Sequence, residues 1–110
     1  MKLYLKPTCT TCRKAKRFLR EAGAVFEEID LNRGLSVAQL EKLIGPRDYR
    51  KFLNTRNELY RQRGMKTNPP TRQEALQLMS ENPNLIKRPI LVQGSQVILG
   101  FDEEALRAIL

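Results

Sequence analysis

The most informative part of the sequence is residues 6–14, which read Lys6-Pro7-Thr8-Cys9-Thr10-Thr11-Cys12-Arg13-Lys14. These residues contain both cysteines of the 110-residue chain, spaced C-x-x-C. Pro7 and Thr8 interrupt a short apolar strand, and a basic helix is predicted to begin just after Cys9. A thiol at a helix start faces unpaired N–H groups and the positive end of the helix dipole, and both favour the thiolate. Because the thiolate is the nucleophile, we predict that Cys9 carries the chemistry.

The predicted helix, about residues 10–22, separates the two thiols. Its apolar positions recur with helical period on one face, and they are Cys12, Ala15, Leu19 and Ala22. Cys12 is therefore expected on the inward face, and Cys9 at the exposed mouth of the helix. A separation of three residues allows a disulfide between them. A reactive pair is the favoured interpretation of Cys12, and an inert core thiol is the alternative.

The amino-acid composition limits the kinds of site that the chain can form. With 41% hydrophobic and 29% charged residues the chain is typical of a globular protein. There is no histidine and no second C-x-x-C, so we expect neither a zinc site nor a bound cofactor. The missing histidine also removes the usual general base, which leaves electrostatics to activate a nucleophile.

Two features of the sequence bear on location and partners. No apolar run approaches the roughly 20 residues that a membrane span needs, and the charged N-terminus does not resemble a signal peptide. We therefore expect a cytoplasmic protein with no membrane partner. The net charge of +8 suggests an anionic partner, which could be nucleic acid, an acidic protein surface or a small oxyanion. For most of the 20 Lys and Arg a solvated surface is the better interpretation.

Local patterns predict the order β-α-β, a helical insert at about residues 36–82, and then β-β-α. The predicted strands cover residues 2–6, 25–31, 90–92 and 96–99. The predicted helices cover residues 10–22, 36–44, two short pieces within 48–64, 71–79, and a last helix capped by Asp102. Capping boxes begin two of them, Ser36 with Gln39 and Thr71 with Glu74.

This order predicts the fold class. A strand, helix and strand in sequence form a right-handed parallel unit, and the last two strands form an antiparallel hairpin around a type II′ turn at Gly94-Ser95. A C-x-x-C beside such a unit is typical of thioredoxin-like proteins. We predict an α/β, thioredoxin-like fold with a four-stranded mixed sheet and a helical insert, all in a single domain of residues 1–110.

Four segments resemble the ArsC/Spx family, which comprises glutaredoxin-like arsenate reductases and the Spx redox regulators. They are Cys9-Thr10-Thr11-Cys12-Arg13-Lys14-Ala15, Asn54-Thr55-Arg56, Glu81-Asn82-Pro83 and Leu85-Ile86-Lys87-Arg88-Pro89-Ile90. They occur in the family's order over nearly the whole chain. Taken alone, Arg56 and Arg88 indicate no more than surface charges, so it is the resemblance that brings them into a site.

The resemblance implies Cys9 as the attacking thiolate beside a cis-Pro89, with Arg88 and Arg56 as oxyanion-binding or thiolate-stabilising arginines. The expected catalytic residues are Cys9, Cys12 and Arg88. The expected substrate-binding residues are Thr8, Thr10, Thr11, Arg13, Arg56, Arg88 and Pro89.

Two departures from the family pattern matter. Many of the reductases have serine where Cys12 stands, so this chain is expected to resolve its adduct internally. They also carry a further arginine on the last hairpin, where this chain reads Leu99-Gly100-Phe101.

The resemblance thus implies an arsenate reductase that uses thioredoxin, or glutaredoxin with glutathione, as external reductant. The alternatives are an Spx-like regulator that binds the RNA polymerase α subunit, and a general thiol-disulfide oxidoreductase. We expect a monomer that does not bind nucleic acid directly.

Overall fold

The computed structural model describes residues 1–110, which form two compact units. One comprises Met1–Asp30 with Arg88–Leu110, and the other comprises Leu31–Lys87. The strands are β1 (Lys2–Leu5), β2 (Glu27–Asp30), β3 (Ile90–Gln93) and β4 (Gln96–Leu99). The helices are α1 (Thr10–Glu21), α2 (Val37–Ile44), α3 (Glu58–Gln62), α4 (Arg72–Glu81) and α5 (Glu103–Ile109). Three short 3₁₀ turns cover Leu31–Arg33, Tyr49–Phe52 and Pro83–Leu85.

The first unit contains a single four-stranded sheet in the order β2-β1-β3-β4. β1 pairs parallel with β2 and antiparallel with β3, and β3 pairs antiparallel with β4. At the β3–β4 turn only Gly94 has a positive φ, 59°, which fits the predicted type II′ geometry. The predicted thioredoxin-like mixed sheet is confirmed.

One face of this sheet packs against α1 and α5. Leu3 and Leu5 lie two residues apart and therefore share a face of β1. They form one buried cluster with Leu91 of β3, with Cys12 and Leu19 of α1, and with Leu106 of α5. The thiol of Cys12 is thus part of the hydrophobic core of the first unit.

The end of α1 differs in two details from the prediction. Gly23 has φ 76° and closes the helix: its N–H binds Arg20 O, and the Ala24 N–H binds Leu19 O. Ala22 is the C-cap and is exposed, so it does not belong to the core face. Val25 is 89% exposed and lies outside the sheet, and β2 begins at Glu27, later than predicted.

The second unit follows its local sequence signals closely. Both predicted capping boxes are formed, Ser36 with Gln39 at α2 and Thr71 with Glu74 at α4. Between them the chain is helical in two short pieces, Tyr49–Phe52 and α3, as predicted. No helix of either unit has the length and apolar character that crossing a membrane requires.

Candidate active site

Cys9 is the N-cap residue of α1, at the end of a tight turn that follows β1. Its N–H donates to Lys6 O over 3.0 Å, and its carbonyl accepts the first helical hydrogen bond from the Arg13 N–H, also over 3.0 Å. Both bonds fix the backbone of Cys9 at the mouth of the helix. The residue is half-buried and packs against the edge of the hydrophobic cluster.

The environment of the Cys9 sulfur favours the thiolate. Burial acts to raise the pKa of Cys9, but donors around the sulfur outweigh it and lower the pKa to about 6. The Thr11 hydroxyl has the largest lowering effect, and its Oγ1 lies 3.1 Å from Cys9 Sγ. The Cys12 side chain and N–H and the Arg88 side chain act in the same direction. Cys9 is therefore mostly ionised at neutral pH without any histidine.

Cys12 has the opposite properties. Its side chain is fully buried, and its Sγ accepts a hydrogen bond from the Lys6 N–H over 3.4 Å. Burial is the main cause that raises the pKa of Cys12, to about 12, and the hydrogen bond and negative charge of the neighbouring Cys9 add to it. At neutral pH the structure thus places one thiolate, Cys9, beside one protonated thiol, Cys12. The two cysteines are not joined by a disulfide.

Arg88 is half-buried and brings a guanidinium group to this thiol pair. Its Nε and Nη1 atoms are buried and have no hydrogen-bond partner in the protein. An unpartnered buried donor costs about 1–3 kcal/mol, and more when it carries charge. The following peptide bond, Arg88–Pro89, is cis, as the resemblance implied, and Pro89 is buried. A guanidinium whose buried donors lack partners is suited to an anionic ligand.

The other predicted contacts are arranged less specifically. Thr8 and Thr10 are exposed, in the turn and in the first position of α1. Arg13 is exposed and uses its Nε–H to bind Pro7 O over 3.0 Å, which fastens the turn to the helix. Arg56 belongs to the second unit, where it is exposed and its N–H binds Asn54 Oδ1 over 3.1 Å. The structure therefore brings together Cys9, Thr11, Cys12 and Arg88, whose roles remain predictions.

One contributor to the site was missing from the sequence interpretation. The Lys6 N–H contacts Cys12 Sγ through the backbone, so no side-chain pattern could reveal it. The only sequence signal is indirect: a proline two residues before Cys9 indicates a turn, but not the direction of the preceding amide.

The fold and the thiol pair define a class of thioredoxin-like proteins with a C-x-x-C at the start of the first helix. The chain matches the ArsC family over residues 4–109. It therefore belongs to the ArsC family.

The similar proteins include a transcriptional regulator and an arsenate reductase. The global transcriptional regulator Spx of Enterococcus faecalis is 32% identical over 111 residues, covering 98% of this chain and 84% of the regulator. An arsenate reductase from Vibrio cholerae is 28% identical with a TM-score of 0.85, covering 100% of this chain and 98% of the reductase. A Staphylococcus aureus protein whose structure was solved by NMR is 32% identical with a TM-score of 0.83. The match covers 97% of this chain and 95% of that protein.

Proposed function

We propose that this protein is an arsenate reductase that reduces arsenate to arsenite with its own two thiols. The observation that carries the proposal is Arg88, whose two buried, unpartnered nitrogens lie in the site of an ionised Cys9. The Arg88 side chain also stabilises the Cys9 thiolate, but that role leaves its Nε and Nη1 without a hydrogen-bond partner. A tetrahedral oxyanion would accept hydrogen bonds from both nitrogens and so remove their desolvation cost.

The first step is attack of the Cys9 thiolate on arsenic. A sulfur–arsenic bond forms, and one arsenic oxygen leaves as water after it takes up protons from solvent. Arg88 binds the remaining oxygens, helped by the free N–H groups at the start of α1. Because Cys9 has a pKa of about 6, it needs no base to reach the reactive form at neutral pH.

The second step is attack of Cys12 on Cys9 Sγ. The sulfur–arsenic bond breaks and its electron pair stays on arsenic. Arsenite leaves, and Cys9 and Cys12 remain joined by a disulfide. In the resting state, the neighbouring Cys9 thiolate contributes to the high pKa of Cys12. In the adduct the Cys9 sulfur is neutral and the negative charge lies on the arsenic oxygens that Arg88 would bind. The Cys12 proton passes to solvent as its sulfur attacks. Cys12 acts second because its attack needs the sulfur–arsenic bond of the adduct to break.

An external dithiol completes the cycle. Two electrons pass from a thioredoxin-type protein, or from glutathione through glutaredoxin, to the disulfide by thiol exchange. The half-buried Cys9 is the sulfur that such a partner can reach, whereas Cys12 is fully buried. The proposal requires no bound cofactor.

A regulator is the second candidate, and the likeness to the Spx protein of Enterococcus faecalis favours it. The same disulfide would then be a switch, and the partner would be the RNA polymerase α subunit. Residues 31–87 hold eleven of the twenty Lys and Arg against five Asp and Glu, which is compatible with an acidic protein surface as partner. The unpartnered Nε and Nη1 of Arg88 are less well explained by this function, since a disulfide switch binds no oxyanion.

The two candidates are separated by one assay with two arms. The purified protein is combined with thioredoxin, thioredoxin reductase and NADPH, and we expect NADPH consumption only when arsenate is added. Cys9→Ser should abolish the arsenate-dependent rate, and the exposed-site variant Arg17→Gln should retain it. The second arm measures binding to the polymerase α C-terminal domain. No arsenate-dependent rate together with tight binding would replace the reductase by the regulator.

A further inference from the structure

The Thr11 hydroxyl lies within hydrogen-bond distance of the Cys9 sulfur. Its Oγ1 lies 3.1 Å from Cys9 Sγ, and Thr11 is half-buried at the second position of α1. No other hydrogen bond of this hydroxyl competes for its proton. When Cys9 is a thiolate the sulfur can only accept, so the hydroxyl must be the donor. The hydrogen bond is then charge-assisted, and such bonds are stronger than neutral ones.

We propose that Thr11, through this hydrogen bond to Cys9 Sγ, sets how readily the Cys9–Cys12 pair is oxidised. A disulfide sulfur carries no charge and is a weak acceptor, so the bond stabilises the reduced protein and is largely lost on oxidation. Stabilising the reduced thiolate makes a dithiol pair more oxidising. Removing the hydroxyl should therefore shift the protein toward the disulfide.

The redox step balances with glutathione disulfide as oxidant. The Cys9 thiolate and the Cys12 thiol give up two electrons and one proton and form the disulfide. Glutathione disulfide takes up the two electrons and two protons and becomes two glutathione molecules. The remaining proton comes from solvent, so the equilibrium depends on pH in the range where Cys9 ionises.

Few other charged or titratable groups act on Cys9. They are Cys12 on the same helix and Arg88 before β3, and no carboxylate is among them. Thr11 variants leave both groups in place. The inference deepens the proposed function by naming what tunes the same site, but its test uses no oxyanion, so its failure is distinguishable from failure of arsenate reduction.

The test compares Thr11→Val with Thr11→Ser in the full-length protein. Valine matches threonine in shape and lacks the hydroxyl, and serine restores the hydroxyl without the methyl group. Thr55→Val is the control for the same change at another threonine, because Thr55 is exposed and lies outside the candidate site. Two quantities are measured for each: the pH midpoint of Cys9 alkylation, and the dithiol–disulfide equilibrium against glutathione.

For Thr11→Val we expect the alkylation midpoint to rise by about one pH unit, because the charge-assisted hydrogen bond that stabilises the thiolate is lost. At a pH above both midpoints, the equilibrium should shift toward the disulfide by about tenfold. Thr11→Ser and Thr55→Val should stay within about twofold of the unmodified protein.

Three results would overturn the inference. The first is a Thr11→Val protein with both quantities unchanged. The second is a raised midpoint without a shift of the glutathione equilibrium. The third is a Thr11→Ser protein that behaves like Thr11→Val, because the methyl group rather than the hydroxyl would then matter. If Thr11→Val does not fold, as judged by circular dichroism, Thr11→Ala serves in its place.

Discussion

The backbone nitrogen of Lys6 lies 3.4 Å from Cys12 Sγ and donates a hydrogen bond to it. This bond joins the end of β1 to the buried thiol of α1. The Lys6 carbonyl at the same time accepts the Cys9 N–H. Lys6 therefore forms backbone hydrogen bonds with both cysteines. The two thiols nevertheless lie in different environments, with pKa values of about 6 for Cys9 and about 12 for Cys12.

This asymmetry predicts selective alkylation. Iodoacetamide added to the reduced native protein at neutral pH should modify Cys9 and leave Cys12 unmodified, because only Cys9 is ionised and accessible. The rate should follow a titration with a midpoint near pH 6, measured by mass spectrometry of digested protein over a pH series. A midpoint near the ordinary thiol value of 9.0, or equal labelling of both cysteines, would contradict the site as described.

Cys12→Ser should separate the two chemical steps. A serine hydroxyl cannot resolve the adduct, so with thioredoxin as the only reductant we expect at most one arsenate consumed per protein. Addition of glutathione and glutaredoxin should restore turnover, because an external thiol can then attack Cys9. Full multiple turnover with thioredoxin alone would show that Cys12 is an inert core thiol.

Arg88→Met should abolish anion binding without lowering the stability of the fold. The free protein buries two guanidinium nitrogens without partners. At about pH 5, where Cys9 is protonated and Arg88 no longer stabilises a thiolate, an apolar side chain of similar length should leave the free energy of unfolding unchanged or raise it by about 1 kcal/mol. The variant should also lose the stabilisation that phosphate or arsenate gives to the unmodified protein in urea unfolding.

The control for this variant is Arg17→Met, which removes an exposed arginine paired with Glu21. It should keep the response to anions. If Arg88→Met instead unfolds at clearly lower urea concentration, the guanidinium stabilises the fold, and the account of Arg88 as an anion-binding group would be contradicted.

The two thiols should also give stability a defined pH dependence under reducing conditions. Folding lowers the pKa of Cys9 from 9.0 to about 6, so its contribution is complete above about pH 9 and is lost as pH falls toward 6. Folding raises the pKa of Cys12 from 9.0 to about 12, so its contribution is complete below about pH 9 and is lost as pH rises toward 12.

Urea unfolding of the native protein and of Cys9→Ser checks the first of these two trends. The difference in free energy of unfolding between them should grow from pH 6 to pH 9 in favour of the native protein. A difference that is flat over this range would mean that the Cys9 thiolate is not stabilised in the folded state.

Much of this architecture is predictable from the sequence because its signals are local. Capping boxes at Ser36 and Thr71 depend on side chains three residues apart, and the glycines at 23 and 94 are required by positive φ. The end of α1 was predicted less accurately. Ala22 continues the apolar period of the helix, but periodicity does not show where the C-cap removes a residue from the core face.

The candidate site was predictable only in part. A C-x-x-C at a helix start locates Cys9 and Cys12, because both lie on one local element. Arg88 is 76 positions from Cys12, and no local pattern reports such a contact. It became a candidate through family resemblance alone. The Lys6 N–H was not a candidate at all, since a backbone group leaves no side-chain signal.

The central claim is that the Cys9–Cys12 pair passes two electrons to an oxyanion, and one measurement tests it most directly. Fully reduced protein is incubated with arsenate without any external reductant, and its intact mass and the arsenite formed are determined. The account predicts loss of the mass of two hydrogen atoms, a Cys9–Cys12 disulfide, and one arsenite per protein, with no change when phosphate replaces arsenate. Unchanged protein mass and no arsenite, with Cys9 still open to alkylation, would contradict it.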